Sequence, residues 1–205
     1  MAKLRKTGNE ASVASARAAR SRVLRIIGGT WRGRRLRFPP RAEIRPTPDR
    51  VRETLFNWLA GRVPGSRCLD LFAGSGALGL EALSRGAAQV TFVERDAVSV
   101  RELRARLAEW GATGAQVEQN DALRFLAGPA QTFDIVFLDP PFASSLLADS
   151  SRLLEERQWL NAEALIYAEA DAHTGLPPLP PNWRVNKAKE AGAVGYHLLR
   201  RGGPE

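Results

Sequence analysis

The sequence predicts a doubly wound α/β fold, in which helices cover a mostly parallel seven-stranded sheet that ends in an antiparallel strand pair. Two observations predict it. After Gly65, strand-like segments alternate with segments of helical composition, as in sheets built from strand–helix–strand units. Several of these strands are almost continuously apolar, which is expected when helices cover both faces of a sheet. We expect three parts: a tail (residues 1–22), a basic hairpin (23–44) and a main domain (45–205).

Length and composition restrict the class of protein. The chain has 205 residues, of which 44% are hydrophobic, enough for one domain with an appendage. No apolar run approaches the roughly 18 residues that span a membrane. The single cysteine, Cys68, excludes an intramolecular disulfide and a multi-cysteine zinc site. Because Cys68 lies in an apolar strand, we expect a buried, inert thiol. From the composition as a whole we expect a cytoplasmic protein that needs no metal and has no membrane partner.

The positive charge is concentrated at the N-terminal end. Residues 1–52 hold 15 Lys and Arg against 3 acidic residues, a net charge of +12. The remaining residues hold 15 against 19, a net charge of −4. This division indicates a basic arm that meets a polyanion, joined to a body of low charge. A solvated basic tail without a partner is the alternative.

The first ordered element predicted is a β-hairpin. The first 22 residues are rich in Ala, Ser and Arg, and we expect them to be disordered. From Val23 to Phe38, basic and apolar residues alternate around Gly28-Gly29, which predicts a hairpin with one apolar face and one basic face. Trp31 could stack on a base, but we expect it to pack on the body. The basic face supplies phosphate contacts, and its arginines are Arg25, Arg32, Arg34 and Arg35.

A helix is predicted to begin after Arg45-Pro46. Thr47 suits the N-cap, and Pro48 suits the first helical position. An apolar stripe buries the helix against the body and consists of Val51, Leu55, Trp58 and Leu59. Three arginines lie off this stripe near the N-terminal end, and they either serve a site by holding phosphates, which we favour, or are simply solvated: Arg45, Arg50 and Arg52.

The main domain continues with alternating strands and helices. The clearest helix runs from Asp96, its cap, to Trp110, and Gly111 ends it. The last two strands turn at Ala191-Gly192, and because no helix fits between them they should be antiparallel. The predicted strands are Arg67–Phe72, Gln89–Glu94, Ala115–Gln119, Phe133–Asp139, Ala164–Glu169, Trp183–Lys189 and Val194–Arg200.

A glycine-rich loop follows the first strand of the sheet. Gly74, Gly76 and Gly79 match the G-x-G-x-x-G pattern, and Glu94 lies about twenty residues further on, as in dinucleotide sites. Asp70 argues against a dinucleotide, because a carboxylate beside the loop would repel a pyrophosphate but suits an ammonium or sulfonium group. The pattern alone leaves a nicotinamide-dependent oxidoreductase open.

Polar residues stand at the carboxyl ends of successive strands, where open α/β sheets bind their ligands. Their order suits one nucleoside. The glycines allow close approach, Glu94 can accept both ribose hydroxyls, and Asp121, which follows Asn120, can accept from an adenine amine.

The segment Asp139-Pro140-Pro141-Phe142 is the most specific in the chain. Two prolines after a strand fix a rigid turn that makes few hydrogen bonds of its own. The Asp139 side chain and the Pro140 carbonyl are then free to accept from a planar exocyclic amine, which helps its nitrogen become pyramidal during alkylation. Phe142 can stack on the base.

These segments resemble a known family. The Asp-Leu-Phe-Ala-Gly-Ser-Gly loop (70–76) and the Asp-Pro-Pro-Phe turn (139–142) resemble class I S-adenosylmethionine-dependent amino-methyltransferases, whose sheet is Rossmann-like. With Ile-Ile-Gly-Gly-Thr-Trp-Arg-Gly-Arg (26–34), Arg-Pro-Thr-Pro-Asp-Arg-Val-Arg-Glu-Thr-Leu-Phe-Asn-Trp (45–58) and Val-Glu-Arg-Asp (93–96), the chain resembles the RsmD family of 16S rRNA guanine-N2 methyltransferases over residues 23–201.

The resemblance implies methyl transfer from S-adenosylmethionine, leaving S-adenosylhomocysteine, to a guanine of the small ribosomal subunit (guanine 966 in that family). It implies a monomer that acts on assembled or assembling subunits. Asp139, Pro140 and Phe142 would be catalytic. The cofactor would be held by Asp70, Phe72, Ala73, Gly74, Ser75, Gly76, Glu94, Arg95, Asn120, Asp121 and Ala122.

Three alternatives remain at this point. The catalytic tetrapeptide is shared with adenine-N6 methyltransferases of RNA or DNA, so those are the nearest rivals. A nicotinamide-dependent oxidoreductase would bind NAD, but it leaves the basic arm and the Asp139 turn without a purpose. A non-catalytic RNA-binding module would not bind S-adenosylmethionine at all.

Overall fold

A seven-stranded, mostly parallel sheet forms the centre of the molecule. The computed structural model describes residues 22–38, 47–142 and 144–202. The strands are β1 (Arg22–Arg25), β2 (Arg35–Phe38), β3 (Arg67–Asp70), β4 (Gln89–Glu94), β5 (Ala115–Gln119), β6 (Phe133–Leu138), β7 (Leu160–Asp171), β8 (Trp183–Ala191) and β9 (Val194–Arg201). The helices are α1 (Asp49–Trp58), α2 (Ala77–Ser84), α3 (Ala97–Glu109), α4 (Ala122–Leu126) and α5 (Leu146–Glu156).

The strand order confirms the predicted doubly wound sheet. The large sheet runs β5-β4-β3-β6-β7-β9-β8, and its first five strands pair in parallel. Strand β9 pairs antiparallel with both β7 and β8, as predicted for the C-terminal pair. The order reverses between β3 and its neighbours β4 and β6, which is the switch point where such sheets bind ligands.

Two apolar layers hold the sheet, one on each face. Neighbouring strand residues point to opposite faces, and Phe137 and Val136 accordingly belong to different buried clusters. Helices α1, α2 and α3 pack on the Phe137 face, together with the apolar side of the β1–β2 hairpin. Helices α4 and α5 pack on the Val136 face. Cys68 is fully buried, as predicted, and burial raises the pKa of its thiol to about 12.

Most predicted boundaries lie within two residues of those observed. Asp96 caps α3 by accepting from Ser99 N across 2.8 Å, as predicted. Strand β3 ends at Asp70, two residues early, because Leu71 and Phe72 already belong to the loop. Strand β7 is longer than predicted at both ends. The predicted tail up to residue 21, Pro39-Pro40 and Arg45 lie outside the described residues.

The N-terminal hairpin is fastened to α2 through its glycine turn. The backbone N–H groups of Ile27 and Gly28 donate to the two carboxylate oxygens of Glu81 across 2.9 and 2.8 Å. Gly29 has a φ of +76°, and a Cβ there would lie 1.7 Å from the Ser84 carbonyl oxygen. The turn therefore needs glycine both for its conformation and for its close contact with the end of α2.

Aromatic packing places Trp31 on the body, as predicted. Its ring centroid lies 5.2 Å from that of Trp110, and the Arg34 guanidinium lies 5.3 Å from the Trp110 ring. The apolar side of the hairpin is buried through Leu24 and Leu36, which face each other across the two strands. The hairpin therefore presents its basic side outward.

Arg52 corrects one prediction made from the sequence. It was expected to hold a phosphate, but its side chain is fully buried. Its guanidinium donates to Asp49 across 2.6 Å and to the Arg25 carbonyl across 2.8 Å, and it pairs with the buried Glu81 across 3.4 Å. The prediction of a phosphate contact is wrong for Arg52, because this side chain joins α1, α2 and the hairpin from inside.

Candidate active site

A cleft of about 1010 Å³ opens at the carboxyl ends of the parallel strands. It collects residues that are far apart in the sequence, from the loop after β3, the ends of β4 and β5, and the turn after β6. All the predicted cofactor and catalytic residues line it except Gly76. The residues predicted from the sequence therefore lie together in one cleft.

The glycine loop sets the shape of the cleft beside β3. Gly76 is the N-cap residue of α2 and has a φ of +76°. It does not line the cleft, so its role is to let the chain turn from the loop into the helix. Gly79 lies in α2 where a Cβ would come within 2.2 Å of Phe92 Cε1, so glycine lets the helix lie close against β4.

Asp70 is a buried carboxyl without a cationic partner among the described residues. Gly79 N donates to its Oδ2 across 2.9 Å. Burial raises the pKa of Asp70 to about 7, the Gly79 hydrogen bond lowers it, and the charge of Glu94 raises it further. A cationic ligand in the cleft would supply the charge that this carboxylate lacks.

Glu94 is held ready at the end of β4. One carboxylate oxygen accepts from Gly74 N across 2.8 Å and the other accepts from Asp96 N across 2.7 Å. Each oxygen keeps a further lone pair, so the pair suits two neighbouring hydroxyls. The same bonds tie the glycine loop to the end of β4.

Asp121 has two uses at the end of β5. Its Oδ1 caps α4 by accepting from Leu123 N and Arg124 N across 3.0 and 3.1 Å. Oδ2 takes no part in that cap and belongs to a residue that lines the cleft. An adenine amine is a suitable donor to this oxygen.

The turn after β6 faces the glycine loop across the cleft. Asp139 is half-buried, Pro140 is buried, and Phe142 keeps 41% of its surface exposed. Burial, followed by the charges of Glu169 and Asp70, raises the pKa of Asp139 well above its usual value. The exposed ring of Phe142 is available for stacking on a planar ligand.

Behind Asp139 lies a polar cluster that the sequence did not predict. The buried Glu169 of β7 accepts from the Tyr167 hydroxyl across 2.7 Å and from the Thr47 hydroxyl across 3.1 Å. Its carboxyl group is the neighbour of that of Asp139, because Leu138 pairs with Ala168 and the next residues of the two strands are Asp139 and Glu169. Thr47, predicted as an N-cap, makes no cap, because α1 begins after Pro48 and the hydroxyl points to Glu169 instead.

A sequence signal for this cluster exists. Tyr167 and Glu169 are two residues apart in a strand that is otherwise apolar, so they share one face. A carboxylate in a buried strand needs a partner, and β7 lies next to β6, which leads to Asp139.

The other described arginines that were predicted to bind RNA are all exposed: Arg25, Arg32, Arg34, Arg35 and Arg50. They lie on the hairpin and at the start of α1, and both elements pack on the Phe137 face of the sheet.

Within the described residues no helix is long and apolar enough to cross a membrane, and no three His, Cys, Asp or Glu side chains form a group that would hold a metal ion.

The family model described as conserved hypothetical protein 95 matches residues 24–200. The ribosomal RNA small subunit methyltransferase D of Escherichia coli is 51% identical over 178 residues, which cover 87% of this chain and 90% of that protein. The protein of the same name from Haemophilus influenzae is 46% identical, over 86% of this chain and 93% of its own length. The chain belongs to the ribosomal RNA small subunit methyltransferase D family.

Solved structures agree with this assignment. A solved structure from Escherichia coli is 48% identical to this chain and has a TM-score of 0.82. The match covers 89% of this chain and 99% of that one. A Thermus thermophilus structure with 34% identity has a TM-score of 0.73, over 86% of this chain and 98% of that one. The resemblance and the methyltransferase class predicted from the sequence are confirmed by membership of the methyltransferase D family.

A more distant structure shows the fold alone. An RNA methyltransferase from Salinibacter ruber, solved with S-adenosyl-L-homocysteine, is 17% identical with a TM-score of 0.62, over 78% of this chain and 96% of that one. The cleft of this chain, by its own residues, suits a ligand that combines a nucleoside with a cationic group. Asp70 lacks a cation, Glu94 offers paired acceptors, and the glycine loop leaves room for close approach.

Proposed function

We propose that the protein transfers a methyl group from S-adenosylmethionine to the exocyclic N2 amine of a guanine in 16S rRNA, within an assembled or assembling small subunit. One observation carries the proposal. The Asp139-Pro140-Pro141-Phe142 turn lines the same cleft as Asp70, Glu94 and Asp121, so an amine acceptor and a nucleoside site share one space. Family membership supports rRNA of the small subunit as the substrate.

The cofactor end of the cleft has an acidic residue for each of three parts of the ligand. The Asp70 carboxylate balances the cationic methionine part, Glu94 accepts from the ribose hydroxyls, and Asp121 accepts from the adenine amine. The rest of the predicted set lines the space between them: Phe72, Ala73, Gly74, Ser75, Arg95, Asn120 and Ala122. When bound, the cofactor supplies a methyl group on a sulfonium sulfur, which is a strong electrophile.

The Asp139 turn holds the target amine. An amine conjugated to a ring is a poor nucleophile, because its lone pair is delocalised into the ring. The Asp139 side chain and the Pro140 carbonyl accept hydrogen bonds from its two N–H groups, which favours a pyramidal nitrogen. Holding this nitrogen in line with the methyl group is the main catalytic contribution of the chain, and the alkylated nitrogen then gives its extra proton to water.

The basic surface positions the RNA. A guanine within folded RNA has to leave its stack to reach the bottom of the cleft, and Phe142 offers a surface on which it can stack. The exposed arginines of the hairpin (residues 23–44) and Arg50 hold the neighbouring phosphates, which fixes the orientation without reading the sequence. The main domain (residues 45–205) supplies the chemistry, and the protein acts as a monomer.

A methyl-transfer assay tests the proposal. Small subunits that lack the modification are incubated with labelled S-adenosylmethionine, and the RNA is digested and its nucleosides are identified by mass. We expect N2-methylguanosine at a single position. N6-methyladenosine would show the adenine-N6 activity instead, and the absence of any methylated nucleoside would overturn the proposal.

Two variants accompany this assay. Asp139→Ala should lose methyl transfer and keep cofactor binding by calorimetry, because its carboxyl touches only the target side. Glu156→Ala removes an exposed carboxylate on α5 that pairs with Arg152, and it should behave like the wild type. Full activity of Asp139→Ala would contradict the mechanism.

A further inference from the structure

Two carboxyl groups meet behind the cleft, and they cannot both be ionised at low cost. Leu138 pairs with Ala168 in the parallel register of β6 and β7, so the residues that follow them, Asp139 and Glu169, are neighbours on adjacent strands, and a hydrogen bond between two such carboxyl groups requires a proton. Glu169 is buried, Asp139 is half-buried, and Asp70 adds a third, buried carboxyl from β3. Like-charged carboxyls in such a site share a proton, as a coupled pair.

The hydroxyl groups around the pair indicate which carboxyl holds the proton. Oε1 of Glu169 accepts from the Tyr167 hydroxyl across 2.7 Å and from the Thr47 hydroxyl across 3.1 Å. Donors gather at the group that is an anion, because hydrogen bonds to a charged acceptor are stronger than those to a neutral one. Glu169 is therefore the carboxylate, and the shared proton belongs to Asp139.

The other groups facing the pair do not reverse this assignment. Tyr167 and Tyr196 stand on β7 and β9, and burial keeps the pKa of Tyr167 well above its usual value, so it remains a donor. Thr47, ahead of α1, does not titrate. The buried guanidinium of α1, that of Arg52, is engaged by Asp49 and Glu81.

We propose that Glu169 is a positioning residue that keeps Asp139 in its neutral, protonated form, so that Asp139 meets the target amine with a carbonyl oxygen instead of a carboxylate. The inference rests on the proposed function, since it concerns how Asp139 meets an amine. Asp139 directs its proton toward Glu169 and its second oxygen toward the cleft that it lines. In this state Asp139 resembles an amide side chain, because its carbonyl oxygen accepts a hydrogen bond from the amine. No second negative charge then lies beside Glu169 when the base covers the site.

The first test measures methyl transfer in single turnovers at saturating cofactor and subunit, across a range of pH. The wild type should lose rate at high pH, when Asp139 gives up its proton. Asp139→Asn should keep its rate within about tenfold, the worth of one neutral hydrogen bond, and should lack the decline that Asp139 causes. Glu169→Gln should move the decline to lower pH, because the neighbouring charge that holds the proton on Asp139 is gone.

A second measurement needs no activity and also serves if Glu169→Gln fails to fold. The infrared band of protonated carboxyl groups is compared at about pH 7 between Asp70→Asn and the double variant Asp70→Asn/Asp139→Asn. The first variant removes the contribution of Asp70, whose pKa is about 7. We expect a protonated-carboxyl band that disappears in the double variant.

The outcomes separate this inference from the proposed function. An Asp139→Asn variant that binds cofactor and transfers no methyl group, beside an active wild type, would show that a carboxylate is required and would overturn the inference alone. The absence of a protonated-carboxyl band would do the same. A wild type that methylates no guanine would overturn the proposed function itself.

Discussion

The side-chain hydroxyl of Thr47 donates to Oε1 of Glu169 across 3.1 Å, although the two residues are 122 positions apart in the chain. The bond joins the residue that precedes α1 to the strand behind the catalytic turn. Thr47 also lines the cleft, and Glu169 is the neighbour of Asp139 on the adjacent strand. The side chain therefore connects the start of α1 with the proposed amine acceptor.

Removing this hydroxyl tests its contribution. Thr47→Val keeps the shape of the side chain and leaves the backbone carbonyl bonded to Arg52 Nε unchanged. We expect the single-turnover methyl-transfer rate to fall about tenfold or more, because a hydrogen bond to a charged group is worth about 1.5 to 3 kcal/mol. Cofactor affinity should not change. Thr47→Ser, which restores the hydroxyl, is the matched control, and a Thr47→Val enzyme with the wild-type rate would contradict the role.

The charge of Asp70 should make cofactor binding depend on pH. Burial raises the pKa of this carboxyl from 3.8 to about 7, so it is protonated below pH 7 and ionised above it. A cationic ligand binds the ionised form, so binding takes place with loss of a proton at low pH. We expect the dissociation constant for S-adenosylmethionine to rise by about tenfold for each pH unit below 7. Calorimetry between about pH 5.5 and 8.5 measures it.

The control for this dependence is Asp70→Asn. It should bind the cofactor weakly at every pH, with a nearly flat profile, because no carboxyl remains to titrate. Wild-type binding that stays constant from acid to neutral pH would show that Asp70 does not meet the cationic part of the ligand.

The sequence predicted the cleft well because its residues follow a local rule. Asp70, Glu94, Asp121 and Asp139 each come directly at or after the end of a parallel strand, and such ends meet at one edge of a sheet. Hydrophobic patterning alone locates those strands. No long-range contact has to be known before the residues can be brought together.

The sequence could not assign the side chains whose role depends on tertiary contacts. Thr47 looks like a helix cap and Arg52 looks like a surface arginine, since each has the usual residue type at its position. Thr47 is instead drawn to Glu169, and Arg52 to Glu81, by partners from distant segments. Local propensity gives no information about such partners, and the buried polar cluster was missed for this reason.

Arg52 and Arg50 allow stability and RNA binding to be separated. Arg52→Met removes the bonds of a buried guanidinium to Asp49 and the Arg25 carbonyl, while Glu81 keeps Arg85 at 2.8 Å, so we expect a loss of about 1.5 to 3 kcal/mol of unfolding free energy. Arg50→Met changes an exposed neighbour on the same helix and should alter stability by less than about 0.5 kcal/mol. Urea unfolding measures both. Equal stabilities of the two variants would contradict the structural role of Arg52.

The same pair gives an opposite result for RNA. Arg50→Met should weaken binding to the small subunit, since its exposed guanidinium is a proposed phosphate ligand. Arg52→Met is tested at a temperature where that variant is folded. We expect it to lose affinity only as far as the hairpin, which Arg52 holds through the Arg25 carbonyl, becomes less ordered.

The hairpin arginines should determine how RNA affinity depends on salt. Arg32 and Arg35 are exposed on the outer side of the hairpin, and each phosphate that such an arginine neutralises releases counterions. Replacing both with alanine should reduce the slope of log affinity against log salt by about 0.7 to 0.9 for each phosphate that the variant no longer neutralises. Arg157→Ala, at the end of α5 on the opposite face of the sheet, is the control and should leave the slope unchanged. Affinity is measured with small subunits at several salt concentrations, and a slope that the double variant shares with the wild type would place the RNA elsewhere on the surface.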